Sequence, residues 1–159
     1  MNFSEILFSS IGAFVATLIA SFFSATILAA DGVHVILAST GASAVLVFAL
    51  PYSPASQPWN LIGGQMLSAL VGVACYQLIP NSIIAASAAT GLSMVFMGVF
   101  RCMHPPGGAT AISAVVGGDA VHNLGYAFVI APVLINAVIL LSIAMAVGTL
   151  RTKNPFYDD

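Results

Sequence analysis

The segment that most constrains the fold carries two consecutive prolines and then two glycines, at residues 105–108, between long apolar stretches. Proline removes a backbone donor and clashes with the preceding turn, and glycine weakens a helix further. Ordinary helix is therefore excluded here. Because non-helical backbone at membrane depth is tolerated only where protein buries it or where it lines a polar cavity, the segment predicts a functional site.

Composition places the whole chain in a membrane. Of 159 residues, 60% are hydrophobic and 5% are charged, whereas a soluble domain has about 25% charged residues. With three basic residues, nucleic acid is excluded as a partner. We expect one transmembrane domain over residues 1–150 and a short polar cytoplasmic tail over 151–159. The N-terminus lacks the basic region of a signal peptide, so we expect the first apolar run to stay as a membrane segment.

Apolar runs and turn residues divide the chain into about six membrane segments and predict an all-α, polytopic fold. The predicted segments are 7–29, 33–50, 61–79, 82–100, 107–116 and 124–147.

Two of these segments share a short motif. Thr-Gly-Ala-Ser-Ala at 40–44 resembles Gly-Gly-Ala-Thr-Ala at 107–111, although a match this short can also arise by chance. If it is a repeat, each half has three segments and the halves are inverted, as in many secondary transporters. Six crossings place Arg101, Arg151 and Lys153 on one side and Asp31 and Asp119 on the other, which predicts cytoplasmic termini.

The second segment of each half is short. Residues 42–50 and 108–117 form about ten residues of helix each, roughly 15 Å, or half the hydrocarbon thickness. We expect residues 34–39 and 101–106 to run extended from the membrane surface to these two half helices. Two helix N-termini would then meet near the midplane, where their free N–H groups suit an anion. The alternative is that both motifs are close-packing or kink sites in continuous helices.

Arg-Cys-Met-His-Pro-Pro-Gly-Gly-Ala-Thr-Ala at 101–111 resembles the signature of the HPP family of integral membrane proteins. The resemblance continues through residues 41–46, Ser53-Pro54, Gln57-Pro58, Asn60 and Gly63-Gly64. Gly107 stands where many relatives have alanine. Because members in cyanobacteria and plastids are linked to nitrite transport, the resemblance implies a transporter of a small monovalent anion, with nitrite as the first candidate.

The predicted anion site combines both motifs with the residues before the second. Arg101 could draw the anion in, or it could anchor to lipid phosphate. His104 could bind the anion or carry a proton, or it could cap carbonyl groups freed by the prolines. Ser43 and Thr110 could donate hydroxyl groups or cap their helices. The full predicted set is Thr40, Gly41, Ala42, Ser43, Arg101, His104, Pro105, Pro106, Gly107, Gly108, Ala109 and Thr110.

Other classes of function have less support. No acid is placed with a serine and a histidine as a hydrolase requires, so we expect no enzyme, no catalytic residue, no metal and no cofactor. Cys75 and Cys102 are interpreted as packing residues. The expected partners are a small inorganic anion, membrane lipid and further copies of the chain in a homo-oligomer, dimer or trimer, in the bacterial inner membrane. The rival interpretation is a non-transporting scaffold or sensor subunit.

Overall fold

A computed structural model describes residues 3–28 and 37–149, and this part of the chain is helical without strands. The predictions on Asp31, on Arg151 and Lys153 and on the polar tail lie outside the described residues.

Four helices are long and apolar enough to cross a membrane, and two are markedly shorter. The long ones are α1 (Phe3–Ile27), α3 (Pro58–Leu78), α4 (Ser82–Val99) and a kinked helix made of a π-helical turn (Val129–Leu134) and α7 (Ile135–Gly148). The short ones are α2 (Ala38–Ala49) and α5 (Gly107–Val116). A 3-10 turn (Pro54–Ser56) precedes α3, and the single-turn helix α6 (Asp119–His122) follows α5.

Local sequence explains where these helices begin and end. Asn81 caps α4, since its side chain accepts hydrogen bonds from the N–H groups of Ile83 and Ile84, both at 3.1 Å. Pro58 occupies the first turn of α3, where its missing donor costs nothing. Between α5 and α6, Gly118 has φ of 68° and ψ of −169°, a backbone conformation that essentially only glycine adopts.

Two predictions about these segments are wrong. Helix α2 begins at Ala38 rather than at residue 42, so the motif at 40–43 lies in its first two turns. The sixth predicted segment is not one regular helix, because the backbone breaks at Ala131 (φ −134°, ψ 116°) before Pro132. Proline cannot donate to the preceding turn, which accounts for the break.

The helices pack through small residues and leave large apolar side chains on the outside. On α1, Gly12, Ala16 and Ala20 are buried at four-residue spacing, while Phe14 and Phe22 are exposed. Small interfacial residues with apolar exteriors are typical of helices that pack in lipid.

Three buried apolar clusters form the core of the described residues, and two of them hold the short helices. One joins α1, α2 and α7 through Ala16, Ala44 and Leu140. The other joins α3, α4 and α5 and includes Ala85 and Ala111. The short helices α2 and α5 therefore each lie between two long ones, and this arrangement positions the buried polar residues described next.

Candidate functional site

The segment between α4 and α5 enters the protein as an extended chain. Arg101 has a left-handed backbone (φ 52°), which is uncommon for a residue other than glycine and turns the chain away from α4. After it, Cys102 and His104 are fully buried, whereas Met103 and Pro105 are exposed. The predicted extended entry of residues 101–106 is therefore confirmed only for residues 102–104, since Arg101 and the two prolines at 105–106 lie in turns.

Helix α3 holds this segment in place with two side chains in its first turn. Trp59 donates its Nε1–H to the carbonyl of Phe100 at 3.2 Å. Asn60 donates from Nδ2 to the carbonyl of Met103 at 3.0 Å. Backbone carbonyl groups that no helix satisfies thus receive side-chain partners.

Glycines allow the extended segment to lie directly against α3. A Cβ atom at Gly64 would be 2.5 Å from the Cβ of His104 and 2.9 Å from the carbonyl oxygen of Cys102. A Cβ atom at Gly107 would be 2.5 Å from the hydroxyl of Ser68. No larger residue fits at either position unless the neighbouring segment moves.

The N–H groups at the start of α5 are already hydrogen-bonded. Gly108 donates to the carbonyl of Pro105 at 3.0 Å, Ala109 to that of Pro106 at 3.1 Å and Thr110 to that of Pro106 at 3.3 Å. The sequence predicts free N–H groups here, and that expectation is wrong for α5 because the two prolines form a turn that supplies acceptors.

A chain of buried side chains joins α2, α3 and α5 instead. Thr110 donates its hydroxyl hydrogen to Oε1 of Gln65. Gln65 donates from Nε2 to Oγ of Ser43 at 2.7 Å. Oγ of Ser43 lies 2.8 Å from Nε2 of His104, and Nδ1 of His104 lies 2.8 Å from the carbonyl oxygen of Ala55.

The direction of these bonds defines the state of His104. A carbonyl oxygen only accepts, so Nδ1 of His104 carries the hydrogen toward Ala55. Ser43 already accepts from Gln65 and is satisfied when it donates to Nε2. A neutral ring therefore completes the chain, and both nitrogens of His104 have partners.

A second buried group lies beside the first. Asn136 donates from Nδ2 to the hydroxyl oxygens of Ser24 at 2.7 Å and Thr40 at 3.1 Å. A cavity of about 10 Å³ lies between this group and Gln65, with room for about one water-sized particle. Its lining residues are Leu37, Ser39, Thr40, Gln65, Val133, Asn136 and Leu140.

The predicted site residues divide into two sets. Ser43, His104 and Thr110 meet in the buried chain, and Thr40 borders the cavity. Outside the buried chain, Arg101, Ala42 and Pro105 are exposed, Gly41 faces a groove along α1, and the Cβ position of Gly108 faces Thr90 at 3.7 Å. Pro105, Pro106, Gly107 and Ala109 form the turn that begins α5.

Sequence reasoning misses Gln65 and Asn136, the two amides that organise the buried groups. Each is 5% or less exposed. The sequence feature that indicates such residues is an amide side chain inside an apolar membrane segment, because a polar group there is costly and usually has a partner.

Comparisons with known proteins agree with the membrane assignment. A sequence model described as "HPP, transmembrane region" matches residues 1–156. Two curated relatives from Dictyostelium discoideum, each named a transmembrane protein, are 39% and 34% identical over 127 and 125 residues. These alignments cover 77% and 76% of this chain but 44% and 40% of the relatives, so the chain spans less than half their length. No solved structure matches the chain.

Proposed function

The chain belongs to the HPP family of integral membrane proteins, and we propose that it carries a small monovalent anion across the membrane, with nitrite as the first candidate. The observation that supports this most strongly is the hydrogen-bonded chain between Ser43 on α2 and Thr110 on α5 through Gln65 on α3. Transporters of several folds bind substrate where short helices begin inside the membrane. Here two such helices are linked by uncharged donors and acceptors.

We also propose that the six segments form two inverted halves. Ala16, Ala20 and Ser24 are buried at every fourth position of α1, and alanine, alanine and serine recur in that order at buried positions of α4, as Ala85, Ala89 and Ser93. Two of the three buried clusters fit the same pairing, since each contains the first and second helix of one half and the third helix of the other, with Leu61 of α3 as an additional member of the first. Two related halves would give the alternating access that transport requires.

Arg101 is proposed to act at the entrance rather than in the buried site. It is exposed and precedes the segment that enters the protein, so its charge can raise the local concentration of an anion without a buried charge. This role is compatible with contact to lipid phosphate.

Two further proposals concern the oligomeric state of the protein and the membrane in which it lies. A chain of 16.3 kDa has little interior of its own, and small residues on membrane helices allow subunits to pack closely. We therefore propose a homo-oligomer, a dimer or a trimer. The bacterial inner membrane is the proposed location, while the two curated relatives come from a eukaryote.

The experiment that tests transport is nitrite uptake into proteoliposomes that contain the purified protein, compared with protein-free vesicles of the same lipid. We expect saturable uptake that excess unlabelled nitrite inhibits and that gluconate does not. Uptake no faster than in protein-free vesicles, from protein shown to be folded and inserted, would favour the scaffold or sensor alternative.

A further inference from the structure

The side chain of Asn136 leaves one buried polar atom without a partner. Asn136 is 3% exposed, and its Oδ1 has no hydrogen-bond partner among the described residues. The same residue lines the 10 Å³ cavity beside Gln65. A buried amide atom without a partner destabilises the folded state, so the side chain of Asn136 points to a missing ligand.

The cavity lies at the N-terminal end of α2. Its wall includes Leu37, which precedes the helix, and Ser39 and Thr40 in the first turn. The first backbone bond of this turn is from Thr40 N–H to the carbonyl of Leu37 at 2.9 Å. Earlier N–H groups of a helix have no partner within it and make its start electropositive.

The Asn136 amide can be reversed with no change in shape or in the number of its hydrogen bonds, because its nitrogen and oxygen are nearly the same size and the hydroxyl groups of Ser24 and Thr40 can donate as well as accept. Oδ1 then accepts from both hydroxyl groups, and Nδ2 becomes the unpaired amide atom of this cavity-lining residue. Gln65 contributes too, since only one of its two Nε2 hydrogens is used by Ser43. With the amide in this orientation, Asn136 and Gln65 both have N–H groups available beside the cavity.

The equivalent end of α5 offers no such space. Its N–H groups are bonded to the turn at residues 104–106, and Gly64, Gly72 and Gly107 bring α3 into direct contact with it. The two short helices therefore differ at their starts: the first residues of α2 line a polar cavity, whereas the N–H groups of α5 are bonded to the turn before it.

We propose that this cavity binds one dehydrated monovalent anion, held by the amide of Asn136, the second N–H of Gln65 and the N-terminal turn of α2. The proposal rests on the proposed transport of an anion and locates the binding position at α2 rather than between α2 and α5. Chloride is somewhat larger than the one water-sized particle for which the cavity has room, so the cavity must widen slightly to hold it. Nitrite has three heavy atoms and requires the cavity to widen.

The test is anion-dependent stabilisation of the purified protein in detergent. The midpoint of thermal unfolding is measured against sodium chloride and sodium nitrite, with sodium gluconate holding ionic strength constant. Binding to the folded state raises the midpoint in proportion to the logarithm of anion concentration. We expect this rise for the unmodified protein.

Asn136→Asp is the decisive variant, because the carboxylate has nearly the same shape but only acceptors and a negative charge. We expect its apparent Kd for chloride and nitrite to rise by about 10- to 100-fold, as for the loss of a hydrogen bond to a charged group. Thr40→Val, which removes a hydroxyl that orients the amide, should weaken binding by about 3- to 10-fold even if the aspartate variant fails to fold. Ser93→Ala is the matched control. It removes a buried hydroxyl without a partner on α4, and anion binding should be unchanged.

Three results would overturn the proposal: no anion-dependent rise in the unmodified protein, equal rises in Asn136→Asp, or a rise with sodium, measured in a separate titration with gluconate as the only anion, that Asn136→Asp strengthens, which would indicate a cation site. Parallel nitrite uptake separates this proposal from transport itself. If Asn136→Asp takes up nitrite as fast as the unmodified protein, the transported anion binds elsewhere. If anion binding depends on Asn136 but the unmodified protein shows no uptake, the binding site stands and the transport proposal is refuted.

Discussion

Replacement of Gly64 by alanine tests how closely the extended segment packs against α3. The new Cβ would lie 2.5 Å from the Cβ of His104 and 2.9 Å from the carbonyl oxygen of Cys102. Neither atom is the end of a flexible side chain, so the backbone at 102–104 must move. Overpacking of this kind costs about 3 kcal/mol, and the gain in helix propensity of alanine over glycine returns about 1 kcal/mol.

Movement of His104 should also break its hydrogen bond to Ser43, at a further cost of about 1 kcal/mol. The net loss is therefore about 3 kcal/mol. Gly41→Ala is the matched control, because nothing lies within 4 Å of its Cβ position and it should gain up to about 1 kcal/mol.

The two variants can be compared by thermal unfolding in detergent, followed by the fluorescence of Trp59. A change of 1 kcal/mol shifts the midpoint by about 2–4 °C for a chain of this length. We therefore expect Gly64→Ala to unfold about 6–16 °C below Gly41→Ala. Equal midpoints, or a higher one for Gly64→Ala, would mean that the extended segment does not lie against α3 as described.

Other predictions concern the buried chain, the entrance and assembly. Ser43→Ala leaves Gln65 and His104 each without one hydrogen-bond partner and should destabilise the protein by about 1–3 kcal/mol. The control Ser142→Ala, on the exposed face of α7, should change stability by less than about 0.5 kcal/mol. Similar chemical or thermal stability of the two variants would contradict the hydrogen-bonded chain through Ser43. Arg101→Gln should slow nitrite uptake and weaken its dependence on ionic strength, and an unchanged salt dependence would remove Arg101 from the entrance. Light scattering in mild detergent should give a protein mass of two or three times 16.3 kDa, and a monomer both there and in bilayers would contradict assembly.

Local sequence predicts the start of α5 well and the start of α2 poorly. Two prolines exclude helix before Gly107, and α5 begins at that residue. No proline precedes Thr40, and glycine, alanine and serine are common in membrane helices, so α2 extends to Ala38. The first motif therefore lies in the first two turns of α2, whereas the sequence predicts a helix that begins at residue 42.

The centre of the site could be predicted only in part, because it depends on contacts between distant segments. Ser43 and Thr110 were predicted as equivalent hydroxyl groups, and the structure joins them through Gln65. Nothing local indicates that Gln65 lies between them, or that Asn136 reaches Ser24 across 112 positions of sequence. Conversely, Gly41 and Gly108 face away from the buried chain, since the packing of neighbouring helices decides which side of a short helix faces inward.

The most direct test of the central claim compares nitrite uptake by two glutamine variants of α3. Gln65→Leu removes the amide that links Ser43 and Thr110, whereas Gln77→Leu makes the same change at an exposed position of the same helix. With both proteins folded and inserted to the same extent, we expect Gln65→Leu to lose at least about 10-fold in initial uptake rate, as expected for the loss of about 1.4 kcal/mol of stabilisation, and Gln77→Leu to retain the rate of the unmodified protein. Equal uptake by the two variants would contradict the proposal that anion transport depends on the buried polar chain.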